Sequence, residues 1–141
     1  MRAAIYAYAG PTDEDCQVQL QQLREFCARR GWQVVEEYVD VGPRKTKAGR
    51  AGLDRLLRDA GRKHFECVLV CRLDRFGPSL AKAVVQVEAL ARLGVQFLAT
   101  KQLLDTEGWS RSHWDILRAA AAFERQGFSE KVKVDITTAK Q

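Results

Sequence analysis

The chain predicts an α/β fold: a mostly parallel sheet of four to five strands, flanked by helices on both faces. Short apolar runs of strand length recur at residues 3–9, 33–39, 65–71 and 95–99. Between them, apolar residues fall at three- and four-residue spacing, and each such stretch closes on a glycine: Gly31, Gly61 or Gly94. Repeated strand–helix alternation of this kind argues for parallel pairing, with helices covering the sheet.

The elements follow in order. Residues 3–9 are bounded by Gly10 and Pro11 and read as a buried strand. Thr12 is placed to cap the next helix, with Asp13, Glu14 and Asp15 in a first turn whose backbone dipole favours negative charge. That helix puts Cys16, Leu20, Leu23 and Cys27 on one face and stops at Gly31. After the second strand, Leu53, Leu56, Leu57 and Ala60 mark a short helix ended by Gly61. Pro78 presets a helix start, and Leu80, Val84, Val87 and Ala91 form a stripe that runs to Gly94. Residues 101–104 read as a short edge strand. From about residue 110 to 137 there is no strand pattern, and Trp114, Leu117, Ala121, Phe128 and Val132 share one helical face, adjoined by Ile116, Ala120 and Phe123. A band this broad needs more cover than one sheet face gives. A partner subunit or the chain's own sheet would supply it.

At 141 residues the chain fits a single domain, residues 1–109 forming the α/β core and residues 110–137 a long terminal helix. With 46% hydrophobic and 29% charged residues it has the balance of an ordinary soluble globule. No apolar run approaches the roughly 20 residues of a membrane span, and no signal-peptide pattern opens the chain. Cys16, Cys27, Cys67 and Cys71 contain no Cys-x-x-Cys pair; Cys67 and Cys71 lie about 13 Å apart along one strand, too far to bridge. They read as buried free thiols in a reducing compartment, which makes the cytoplasm the expected location. With only His64 and His113 to join them, neither a metal site nor a cofactor is expected.

The net charge of +5 is unevenly spread. Residues 44–63 hold eight basic side chains (Arg44, Lys45, Lys47, Arg50, Arg55, Arg58, Arg62, Lys63) against Asp54 and Asp59. Four of the eight fall in residues 44–50 beside Gly42, Pro43 and Gly49. A basic loop suits a phosphate backbone, because each cation that neutralises a phosphate releases condensed counterions; the plain alternative is a solubilising surface.

Two segments carry chemistry. Tyr6-Ala7-Tyr8-Ala9-Gly10 ends the first strand, and Leu73-Asp74-Arg75-Phe76-Gly77-Pro78 follows the third. They resemble the active-site segments of the serine recombinase (resolvase/invertase) catalytic domain, which usually read Tyr-x-Arg-Val-Ser and Leu-Asp-Arg-Leu-Gly-Arg. Supporting segments lie, in family order, at Gln19, Glu37-Tyr38-Val39-Asp40, Gly49 to Leu53, Val68 to Gly77, Leu93-Gly94-Val95 and Ala121 to Glu130, so the resemblance spans essentially the whole chain. It implies a resolvase-like three-layer domain whose last helix builds a dimer or tetramer, with DNA as the further partner.

In that family a serine attacks the DNA phosphate and arginines neutralise the developing charge. Here Gly10 stands at the nucleophile's position, Tyr8 and Pro78 at two arginine positions, and Pro43 near a loop serine. Asp74, Arg75, Arg50, Gln19 and Lys131 remain. The resemblance therefore implies a site kept in outline and emptied of its chemistry. Phosphate contact would fall to Arg44, Lys45, Lys47, Arg50, Arg72 and Arg75, opposed by the acids Asp13, Glu14 and Asp15. With no helix-turn-helix or zinc-binding segment in the sequence, contact should be to the backbone, weak and salt-sensitive. The competing reading is an active DNA-cleaving domain with a displaced nucleophile, for which Thr12, Ser79 and Tyr8 are the candidates. A second bland reading gives Asp74 and Arg75 a purely structural job, pairing with each other or with Arg50.

Overall fold

A computed structural model describes residues 1–10, 15–42 and 50–124. Among them are β1 (Arg2–Ala9), α1 (Cys16–Arg30), β2 (Gln33–Val41), α2 (Ala51–Gly61), β3 (Cys67–Val70), α3 (Leu80–Arg92), β4 (Gln96–Ala99), β5 (Leu104–Asp105) and α4 (Arg111–Glu124). The strands form one sheet in the order β2-β1-β3-β4-β5, parallel except for the antiparallel edge strand β5. This is the mixed, mostly parallel α/β architecture that the alternation predicts.

Strand periodicity sorts the core into two layers. Ala3, Ile5, Ala7 and Ala9 of β1 face α1 and pack with Cys16, Leu20, Leu23 and Cys27. Ala4, Tyr6 and Tyr8 face the other way, into a larger layer built from α2, α3 and α4. The four cysteines are all buried and none is in a disulfide. The predicted α1 face is thus the face that is used, and Gly31 closes the helix in the left-handed conformation at φ 70°.

Several expectations are corrected. The cap of α1 is Asp15, whose side chain accepts from the Gln17 amide at 2.9 Å, so Thr12 does not cap it and no acid lies in its first turn. Gly61 is the last residue of α2, not its stop; Arg62 is the cap, and Lys63 takes the left-handed conformation at φ 62°. Pro78 stands one residue before the cap of α3, which is Ser79, its side chain accepting from the Lys82 amide at 3.2 Å. The α3 stripe is Leu80, Ala83, Val84, Val87 and Leu90, while Ala91 is exposed: burial follows the three-four alternation toward α4 as well as toward the sheet. The predicted strand at residues 101–104 is instead a single 3-10 turn, Thr100–Gln102, followed by the two-residue β5, because the Leu103 backbone turns left-handed at φ 53°.

The last helix is described as far as Glu124; Phe128, Lys131 and Val132 lie outside the described residues. Leu117, Ala120 and Ala121 are buried in the chain's own core, where α4 packs on α3. Trp114 packs beside them, edge-on to Trp109 at 4.8 Å. Two of the side chains assigned to a partner, Leu117 and Ala121, are therefore covered within the chain, while Phe123 is exposed. Among the described residues, no helix is long and apolar enough to cross a membrane.

Candidate active-site corner

In an open parallel sheet, ligands bind outside the carboxyl ends of the strands where the strand order reverses. Here β1 connects outward to β2 on one side while β3 and β4 add on the other, so the reversal lies between β1 and β3. Tyr8 and Gly10 sit at the end of β1, and Arg72, Asp74 and Arg75 just beyond β3, in and before the 3-10 turn Leu73–Arg75. The fold brings the two segments to one corner.

Arg50 joins them. It precedes α2 and is buried, only 4% exposed. Its guanidinium lies over the Tyr8 ring, 3.7 Å from the centroid. Nη1 donates to the Tyr6 hydroxyl at 3.1 Å and to the Arg75 carbonyl at 3.0 Å, and Nη2 donates to the Gly77 carbonyl at 2.9 Å. These are backbone and phenol acceptors inside the fold. A guanidinium in this setting clamps the loop after β3 to β1.

Asp40 extends the network. Its Oδ2 accepts from the Tyr6 hydroxyl at 2.8 Å and from the Leu53 amide at 2.9 Å, and its Oδ1 accepts from the Gly52 amide at 2.7 Å. The carboxylate at the end of β2 thus satisfies amides of the first turn of α2, where the helix dipole favours negative charge. The approach is close enough to demand glycine: a Cβ on Gly52 would stand 2.9 Å from the Val39 carbonyl oxygen and 3.0 Å from Asp40 Oδ1. Burial first, and the Asp40 charge second, push the Tyr6 phenol well above its ordinary range, with Arg50 pulling the other way.

Tyr8 is fully buried and its hydroxyl donates to the Gly42 carbonyl. Gln19, buried on α1, pairs with the Tyr8 backbone through both ends of its amide: Oε1 accepts from the amide at 3.2 Å and Nε2 donates to the carbonyl at 2.8 Å. Tyr8 is therefore fastened at side chain and backbone. Asp74 lies 3.4 Å from Arg72 Nε and 3.9 Å from Arg75 Nε, which matches the expected pairing of Asp74 with Arg75. Arg50 meets Arg75 through its backbone carbonyl, not its charge. Pro78 is half-buried beside the α3 cap.

The structure thus brings together Tyr8, Gln19, Arg50, Asp74 and Arg75 around the end of β1. Pro43, Arg44, Lys45, Lys47 and Lys131 lie outside the described residues. Three contributors lay outside the candidate set: Asp40, Tyr6 and Gln102, whose Oε1 accepts from the Leu73 amide at 2.7 Å. For Asp40 the available signal was an acid in an otherwise apolar strand end, two residues before a glycine.

The chain as a whole shows a likeness to known proteins. The chain matches the family model described as "Resolvase, N terminal domain" over residues 3–141. A DNA-invertase of Escherichia phage P1 is 32% identical over 95 residues, covering 67% of this chain and 50% of that protein, so the chain spans about half the length of this curated relative. Among solved structures, the N-terminal catalytic domain of TP901-1 integrase is similar with a TM-score of 0.76 and 29% identity, covering 89% of this chain and 98% of that one. A resolvase family site-specific recombinase from Streptococcus pneumoniae has a TM-score of 0.71 at 21% identity, over 100% of this chain and 99% of that one, a likeness of fold.

Proposed function

Since the chain belongs to the resolvase N-terminal domain family, the serine recombinases, we propose that it serves site-specific DNA recombination as a catalytically silent member, acting through self-association and weak contact with the DNA backbone. One observation carries the reading. Beside Gly10, which has no hydroxyl, the retained Arg50 is stacked on Tyr8 and donates to Tyr6 and to two loop carbonyls. A guanidinium so engaged holds loops together. To swing out toward a phosphate it would have to give up contacts of this kind, each worth about 1 kcal/mol.

The displaced-nucleophile reading has less support. The Tyr8 hydroxyl is buried against Gly42, and the Ser79 hydroxyl is engaged as the α3 cap. Thr12 lies outside the described residues. Removing one donor that stabilises developing charge lowers a rate by about 10²–10³, and Tyr8 and Pro78 mark two such losses beyond the nucleophile.

A suicide DNA substrate separates the readings. Neither the native chain nor Gly10→Ser should form a covalent protein–DNA adduct. An adduct with the native chain would establish the displaced nucleophile, and robust cleavage by Gly10→Ser alone would show that the arginine positions matter less than argued. For self-association, the face formed by Trp114, Leu117, Ala121, Phe128 and Val132 is the proposed contact, now through Phe128 and Val132, since Leu117 and Ala121 are covered within the chain and Trp114 packs beside them. Light scattering on dilution should reveal a dimer or tetramer that dissociates, and a monomer at every concentration would remove that part of the proposal.

A further inference from the structure

The basic excess in the sequence does not end at the corner. Arg55, Arg58 and Arg62 follow one another down α2 and its cap at intervals of three and four residues, and all three are exposed, as is Lys63. Spacing of this kind keeps side chains on one side of a helix. The acids of the same stretch offset little of the charge. Asp59 is turned inward, where it accepts from the Tyr38 hydroxyl at 2.6 Å and lies 3.7 Å from His64 Nδ1, which leaves Asp54 as the exposed acid.

Elsewhere, several arginines meet carboxylates (Arg2 with Glu66, Arg24 with Glu37, Arg92 with Glu88, and Arg118 with Glu88 and Asp115), whereas Arg29 on α1 and Arg111 on α4 are exposed and form no ion pair among the described residues. Among the described residues, Arg58 and Arg62 form no ion pair. Arg55 is ordered by stacking over the Tyr38 ring at 4.8 Å. From Arg55 to Arg62 is about 10 Å along the helix at about 1.5 Å per residue, comparable with three base-pair steps of about 3.4 Å. A row of uncompensated guanidiniums on a rigid element matches the regular charge of a phosphate backbone, and nothing in it discriminates bases.

We infer that the outer face of α2 is a backbone contact for duplex DNA, separate from the corner around Gly10. The inference rests on the DNA-binding part of the proposed function and gives that binding a location. The side chains at the old catalytic corner are engaged internally, whereas those on α2 present their charge outward.

The test is fluorescence anisotropy of the full chain with a short labelled duplex, titrated from about 50 to 200 mM salt. Arg58→Glu/Arg62→Glu should weaken binding at least about tenfold, and Arg58→Gln/Arg62→Gln, which adds no repulsion, should lower the slope of log K against log salt by about 2. Arg29→Glu/Arg111→Glu makes the same change in net charge on α1 and α4 and should lose much less. Equal losses in the two charge-reversed variants, or an unchanged salt slope in the glutamine variant, would overturn the α2 assignment while leaving DNA binding intact. No binding by the native chain at the lowest salt would overturn both the assignment and the DNA-binding part of the function.

Discussion

The segment at the end of β1 and the segment after β3 meet at the same corner, yet they contribute to it in very different ways. After β3 stand Leu73, Asp74, Arg75 and Gly77. Each has a structural task there: Leu73 is buried and its amide donates to Gln102, Asp74 pairs with Arg72 and Arg75, and the carbonyls of Arg75 and Gly77 receive Arg50. At the end of β1, Gly10 carries no side chain, and the buried ring of Tyr8 fills space beneath Arg50. The difference teaches that residues of a motif can hold a fold together, so that their presence is not by itself evidence of catalysis.

The comparison breaks most visibly if Arg50 is removed. Arg50→Ala leaves the Arg75 and Gly77 carbonyls and the Tyr6 hydroxyl short of a donor in the interior, and should destabilise the fold by about 3 kcal/mol in urea denaturation. A merely phosphate-binding arginine would cost almost nothing there, so a loss under about 1 kcal/mol would refute the clamp.

Next in size is Gly77→Ala. An added Cβ would stand 2.9 Å from the Ala83 backbone nitrogen and 3.0 Å from Gln86 Nε2, so the loop must shift against α3 at a cost of about 1–3 kcal/mol. An unchanged melting temperature would mean that this loop is not held against α3 as described.

Alkaline pH sharpens the β1 side. Burial raises the phenols of Tyr6 and Tyr38 above their ordinary value of 10.0, so the folded chain keeps protons that the unfolded chain loses. Stability is then fully present below pH about 10 and declines as pH rises above it, by up to about 1.4 kcal/mol per pH unit for Tyr6. Tyr6→Phe should flatten this limb in pH-dependent melts; an identical limb would place the titration elsewhere.

The smallest effect lies far from the corner. The Arg24 guanidinium, bonded to Glu37 through two contacts of 2.6 Å, holds that carboxyl below its ordinary 4.5. The contribution is present above pH about 4.5 and fades as pH falls below it. Both side chains are partly exposed, so Arg24→Ala should cost less than Gly77→Ala, and the difference should shrink in high salt. A cost larger than that of Gly77→Ala would contradict the ranking.

Local patterns made much of this legible. The apolar run of β1 and the Cys16, Leu20, Leu23, Cys27 face of α1 lie where the periodicity puts them. Element ends were less legible. Three glycines at helix ends look alike in sequence, yet only Gly31 and Gly94 take the left-handed conformation, while Gly61 remains helical and Lys63 turns instead. The cover of α4 was equally hidden, because an amphipathic stripe does not say whether α3 or another subunit will meet it.

By itself, the sequence determined the alternation of strands and helices, the surplus of positive charge near α2, and the covalent fact that residue 10 has no side-chain oxygen. Only the tertiary structure decided what Arg50 does. Its partners are Tyr6, Arg75 and Gly77, which lie 44, 25 and 27 positions away. Periodicity reports which face of an element is apolar, a short-range property. Which donor meets which carbonyl across a sheet depends on strand order and chain crossing, and these exist only once the chain has folded.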